Sequence, residues 1–126
     1  MLRSSSFNIT KVGLVGTGRI AERFVAEARY ASGLIVTSAY NPDIESVNQF
    51  KKNCSEYEID IYTDKYDEFS LKKVDAVYIA STHETHYKYA KVALKKGKHV
   101  LCEKPLAFTK KESIELYNLA KNQGLF

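Results

Sequence analysis

Short apolar runs alternate along this chain with segments whose apolar residues recur every three to four positions. Asn8 to Gly16 is the first such run, and its length and bounding turn residues predict a strand. Behind it a helix is expected over Ile20 to Ser32, with Ile20, Phe24, Ala28 and Ala31 on one face and Gly33 where a helix end favours a left-handed residue. Leu34 to Tyr40 predicts a second strand. Asn41-Pro42-Asp43 then opens a helix, Asn41 as its N-cap and Pro42 in the first helical position. Ile59 to Tyr62 reads as a weak strand, Lys65 to Ser70 as a short helix, and Val74 to Ala80 as a strongly apolar fourth strand. A helix from Glu84 to Lys96, ended by Gly97, leads to a fifth strand, Lys98 to Cys102. Thr109-Lys110-Lys111-Glu112 is a capping box for a last helix to Gln123, with Gly124 behind it.

Strands separated by helices, with no hairpin signal between them, imply right-handed βαβ crossovers and a parallel sheet covered on both faces. The expected fold is therefore α/β, a doubly wound parallel sheet in three layers. Leu125-Phe126 reads as the first step of a sixth strand, so residues 1–126 are expected to be the first domain of a longer protein.

Composition narrows the class. A chain of 126 residues with 44% hydrophobic and 27% charged content fits one globular domain, and no apolar run approaches the ~20 residues that cross a bilayer. The N-terminal Met1-Leu2-Arg3-Ser4-Ser5-Ser6 lacks the apolar stretch of a secretory signal. The net charge of +4 comes from lysines scattered over helices, as at Lys88, Lys91, Lys95 and Lys96, without the basic block of a nucleic-acid surface. A mild positive field still suits a phosphate-bearing ligand. Two cysteines without paired spacing, Cys54 and Cys102, suggest a reduced, cytoplasmic setting.

Chemistry concentrates at three turns. Gly16-Thr17-Gly18-Arg19-Ile20-Ala21 fits G-x-G-x-x-G/A between a strand and a helix. Gly16 permits the tight turn, Gly18 permits close approach of a pyrophosphate, and helix N–H groups would hold that anion. A ligand-less tight turn, or one for another nucleotide, is the competing reading. An Asp or Glu that holds ribose hydroxyls in NAD sites is missing at the end of the second strand, where Asn41 stands. Asn41 tolerates a 2′-phosphate and Arg19 offers a cation, so NAD or NADP is expected with a lean to NADP, unless Asn41 is only a helix cap.

After the fourth strand, Ser81 and Thr82 can line a nicotinamide ribose, with His83 and His86 at the turn into the next helix. Two histidines without a third ligand do not make a zinc site, so no metal is expected. After the fifth strand, Glu103-Lys104-Pro105 offers a lysine that can donate to a substrate oxygen and a carboxylate that can orient the lysine or the cofactor. Pro105 fixes the chain's exit, with a cis or a trans bond. The plain alternative is a surface ion pair followed by a proline stop. Cys102 is expected to pack rather than react.

Together, the glycine turn, Val74-Asp75-Ala76-Val77-Tyr78-Ile79-Ala80, and Gly97-Lys98-His99-Val100-Leu101-Cys102-Glu103-Lys104-Pro105-Leu106-Ala107 resemble the N-terminal domain of the Gfo/Idh/MocA oxidoreductases, from Thr10 to Phe126. The resemblance implies a Rossmann NAD(P)-binding domain, followed by an α/β domain that carries most of a sugar or polyol pocket, the dimer contacts and often an Asp/His pair. It implies that Lys104 is catalytic beside nicotinamide and substrate, and that His86 matches a histidine often found at the start of its helix. Thr82 departs from a frequent proline, and Asn41 from an acid that some members carry. The full protein is then expected to be a cytoplasmic, homo-oligomeric oxidoreductase moving hydride between nicotinamide and a sugar, polyol or related alcohol or ketone. The isolated chain is expected to be monomeric and to turn over little or no substrate. The alternative is an NAD(P)-binding sensor or scaffold domain that performs no chemistry.

Overall fold

A computed structural model describes residues 9–104, 106–107 and 109–125. Among them β1 (Thr10–Val15), β2 (Leu34–Tyr40), β3 (Ile61–Thr63), β4 (Ala76–Ile79) and β5 (His99–Cys102) form one parallel sheet in the order β3-β2-β1-β4-β5. The strand order reverses direction beside β1, which places a crevice at the carboxyl ends of β1 and β4. The helices are α1 (Arg19–Ala28), α2 (Ile44–Asn53), α3 (Tyr66–Phe69), α4 (His86–Lys95) and α5 (Lys110–Asn122).

Alternation along β1 and β4 divides the core. Val12, Leu14, Ala76 and Tyr78 face Ala21 and Val25 of α1 and Phe50 of α2. Val15, Val77 and Ile79 face Ala90, Ala93 and Leu94 of α4 and Leu116 of α5. Burying each of the valines, leucines, isoleucine and phenylalanine among them is worth about 1.5–3 kcal/mol. Gly13 stands under the Phe69 ring, where an added Cβ would come within 2.7 Å of it. At the same point the β1–β2 register shifts, passing from Val36 to Ser38 and leaving Thr37 outside the pairing. The displaced Thr37 carbonyl accepts the Asp60 N–H at 3.0 Å.

The first helix is shorter than its periodicity suggests. It ends at Ala28, after which Tyr30 and Ala31 donate to carbonyls three residues back and turn the chain towards Gly33 (φ 84°). Its buried residues are Ala21 and Val25, whereas Ile20 is 52% exposed at the first turn and Ala31 is exposed beyond the helix. The second helix is capped by Asp43, not Asn41: the Asp43 carboxylate accepts the Glu45 N–H, while Asn41 Oδ1 accepts the Asp43 N–H at 2.8 Å. Asn41 instead closes a turn ahead of the helix, its side chain accepting the N–H two residues on, which leaves Asp43 at the cap.

The Thr109 side chain caps α5 by accepting the Glu112 N–H, as the capping box requires. Leu125 belongs to the end of that helix, because its N–H donates to the Ala120 carbonyl at 2.8 Å. It does not start a strand there. Asn8, the remaining N-terminal residues, Pro105 and Phe126 lie outside the described residues.

Candidate functional site

The glycine turn is clasped by three neighbours. Gly16 donates its N–H to the Tyr40 carbonyl at 2.8 Å and adopts φ +118°, a region that disfavours side chains. A Cβ on it would lie 2.5 Å from the Ala80 carbonyl oxygen, so the strand-end backbone of β4 leaves no room for one. Thr17 is buried, and its hydroxyl meets that of Ser46 in the first turn of α2 at 2.6 Å.

Gly18 is the reverse case. It is the N-cap of α1 with no side chain capping the helix, and a Cβ there would meet nothing within 4 Å. The first N–H groups of α1 therefore open onto unfilled space, which is what an anionic ligand requires. Arg19 and Ile20 are exposed beside them.

This opening is one cleft of about 470 Å³, lined by Thr17, Gly18, Asn41, Ser46, Ala80, Ser81, Thr82, His83 and Glu84. The fold thus brings Asn41 at the end of β2, the turn after β1 and the loop after β4 to one place. The Asn41 carbonyl oxygen is occupied by Asp43, which leaves its NH₂ as the donor for a ligand. Thr85 donates to the Thr82 carbonyl at 2.7 Å, so in the 2.7 Å Ser81–Thr85 contact it is Ser81 that donates. Ser46 and Thr85 carry no sequence signal of their own; only the packing of α2 and of the loop reveals them.

The two histidines separate. His83 is exposed on the cleft rim, its ring 5.6 Å from that of His86. His86 is fully buried, and its Nε2 lies 3.0 Å from the Ser81 carbonyl, to which it donates. It supports the loop from beneath rather than facing the cleft, because the turn Thr82–Thr85 carries α4 under Ser81. Among the described residues, no three His, Cys, Asp or Glu side chains group to hold a metal ion.

The charges after β5 part to opposite faces of the sheet. The Glu103 N–H extends the β4 pairing to the Ile79 carbonyl at 3.0 Å, and its carboxylate accepts the Tyr78 hydroxyl on the α1 side. Tyr78 stacks on Phe24 of α1, ring centroids 4.2 Å apart. Burial, and then the bond to Glu103, push the Tyr78 phenol above the ordinary tyrosine range. Lys104 is exposed and lines a groove of about 310 Å³ with Ala90, Leu94, Leu116 and Tyr117, on the α4–α5 side. Glu103 therefore does not orient Lys104 in this arrangement, since successive residues leaving a strand point to opposite faces. Burial, with Glu103 adding to it, pushes the Cys102 thiol up to about 11, so it is a packing residue and a poor nucleophile.

The family model for oxidoreductases with an NAD-binding Rossmann fold (GFO_IDH_MocA) matches residues 10–126. Among curated relatives, scyllo-inositol 2-dehydrogenase (NADP(+)) of Bacillus subtilis is 32% identical over 117 residues, covering 91% of this chain and 34% of that protein. The 1,5-anhydro-D-fructose reductase of Ensifer adhaerens is 34% identical over 119 residues, covering 90% and 33%. A crystal structure of a 3-ketoreductase from Actinomadura kijaniata with NADP superposes with a TM-score of 0.81 at 27% identity, covering 94% of this chain and 37% of that one. The chain spans about a third of the length of the curated relatives it matches.

Proposed function

Because the chain belongs to the Gfo/Idh/MocA family of oxidoreductases, as its NAD(P)-binding Rossmann domain, we propose that it serves an enzyme acting on a sugar, polyol or related alcohol or ketone. The observation that carries this reading is the uncapped start of α1, opening at Gly18 onto a cleft shared with Asn41, Ser81 and Thr82. Those residues fit a dinucleotide: N–H groups for the pyrophosphate, an amide at the end of β2 for the adenosine ribose, and hydroxyls after β4 for the second ribose. The bound nicotinamide supplies or accepts hydride at a substrate carbon.

The chain's own residues bind and position. Gly16 and Gly18 shape the anion cradle, Thr17 and Ser46 lock it to α2, and His86 holds the Ser81 loop. Glu103 is held on the α1 side by Tyr78 and presents its second oxygen at the same edge of the sheet. Lys104 donates a proton, or a hydrogen bond, to the substrate oxygen on which charge develops. NADP is favoured over NAD, because no carboxylate at position 41 repels a 2′-phosphate and Arg19 lies at the turn; the NADP-linked relatives support this choice. Residues 1–126 form the first domain of the enzyme, and Lys104, exposed on a shallow groove, turns over little by itself.

Titration of the chain with NADPH and NADH, followed by calorimetry, tests cofactor binding. Saturable binding that favours NADPH is expected, and no binding of either at millimolar ligand overturns the reading. In the full-length protein, Lys104→Ala is expected to lower kcat by about 10²–10⁴-fold, the range of a lost proton donor, with cofactor affinity unchanged. Turnover equal to wild type removes Lys104 from the chemistry. An absence of turnover by the wild-type protein on any sugar or polyol, with cofactor still bound, returns the sensor reading.

A further inference from the structure

The end of the sheet opposite the cofactor cleft carries a second feature that dinucleotide binding does not use. All five strands are parallel, so their amino ends share one edge. Two adjoining cavities of about 630 and 620 Å³ lie there, joined through Lys72 and Lys98, which line both. The first also holds Lys11 and Lys73, the second Lys96. These five lysines come from β1, from the turn at Leu71–Lys73, from the end of α4 and from the approach to β5. Scattered in sequence, they converge only through the topology.

The charge there is only partly compensated. Among the described residues none of the five makes an ion pair; the cations that do are Arg23, Arg29 and Lys91. Three aspartates share the walls, which leaves two net positive charges. Asp75 is committed elsewhere, its carboxylate accepting the Lys11 backbone N–H at 2.8 Å. Asp60 and Asp67 are exposed.

Two further observations mark the place. Ser38, in the wall of the first cavity, is 2% exposed and its hydroxyl has no hydrogen-bond partner, a rare condition for a buried donor. Ser70, in the wall of the second, has φ 53°, the one positive φ among the described non-glycine residues. It directs the chain from α3 into the turn that projects Lys72 and Lys73. Strain of this kind persists where surrounding structure holds it, often at ligand sites.

We propose that this edge is a binding site for a small multivalent anion of phosphate chemistry, with two anionic groups spaced to use both cavities and Lys72 and Lys98 between them. Lysine ammonium groups bind phosphate as mobile point charges, and converging lysines gain most from a ligand that relieves their mutual repulsion. The site is independent of the dinucleotide cleft at the other end of the strands.

Inorganic pyrophosphate is the probe, titrated at constant ionic strength into the ¹⁵N-labelled chain with amide shifts read residue by residue. Saturable shifts are expected at residues 70–75 and 96–98, separate from any at the glycine turn. The double variant Lys72→Glu/Lys98→Glu should weaken the response at that edge by roughly tenfold or more, whereas Lys88→Glu, on an exposed face of α4, should leave it unchanged. An amide spectrum otherwise like wild type confirms that the double variant is folded, and its response to NADPH at the glycine turn reports the other site separately. Shifts confined to residues 16–20, or equal affinity in wild type and double variant, overturn the proposal. So does tight binding of duplex RNA without saturation by pyrophosphate, which marks an open basic surface instead of a small-ligand site.

Discussion

The turn after β1 and the turn after β5 occupy the same edge of the same sheet, and they are built in opposite ways. The first leaves a central strand: β2 holds Gly16 through the Tyr40 carbonyl, the chain after β4 presses on it at Ala80, and α2 grips Thr17 through Ser46. The second leaves β5, which among the described residues pairs with β4; its Leu101 is 51% exposed, and the two charged residues that follow diverge to opposite faces. Three neighbours hold the exit of β1, whereas at the exit of β5 the described residues tie Glu103 to Ile79 and Tyr78 and leave Lys104 exposed. The fold therefore completes the turn proposed to hold the cofactor phosphates, while the lysine proposed for chemistry stands exposed.

Substitution at Gly16 should break this contrast most visibly. Gly16→Ala meets both a left-handed φ and a backbone oxygen, and is expected to cost about 2–5 kcal/mol in urea unfolding. A loss below about 1 kcal/mol would mean that the turn is not clasped as described. Tyr78→Phe comes next. It removes the bond by which the α1 side holds Glu103, and about 1–2 kcal/mol of stability should be lost, with faster amide exchange at Glu103 and no change at Gly16.

Alkaline pH probes the same end of the sheet. The Cys102 thiol is held up at about 11 by burial, against an ordinary value near 9. Its contribution is thus fully present below pH 9 and is lost as pH rises towards 11. The urea midpoint of the wild type should fall across that interval, and that of Cys102→Ala should fall less; parallel declines would detach Cys102 from the effect. Gly18→Ala should be smallest in stability, within about 0.5 kcal/mol of wild type, because a Cβ there meets nothing. Its effect belongs to binding, where NADPH affinity should drop at least about tenfold. Unchanged affinity would show that the cofactor does not approach Gly18.

The strands and the parallel sheet were legible because their signals are local: apolar runs, turn residues and helix caps report on their own neighbourhoods. Leu34 to Tyr40 begins and ends where the sequence places it. Where a local signal had two uses, tertiary context chose. Asn41 and Asp43 both suit a cap, and the helix starts behind Asp43 while Asn41 closes the turn before it. Ile20 fits an apolar helical stripe, yet the sheet meets the face of Ala21 and Val25. The cleft residues were legible as types at strand ends. Their second partners were not: Ser46 behind Thr17, and Tyr78 behind Glu103, are contacts across 29 and 25 residues. His86 shows the same limit, since burial under a loop leaves no mark in a sequence.

The placement of β1 also bears on how this chain is made. The strand leaves the ribosome before β2, which can cover one of its edges soon after. Its other edge pairs with residues 76–79, beginning with Val12 opposite Ala76. At translation rates of about 5–20 residues per second, that edge stays unpaired for roughly 3–13 s while Val12, Leu14 and Val15 are already synthesised. A strand whose last four residues are buried in the finished domain is thus unpaired along one edge during synthesis, and the interval when a chaperone would matter most ends when β4 emerges.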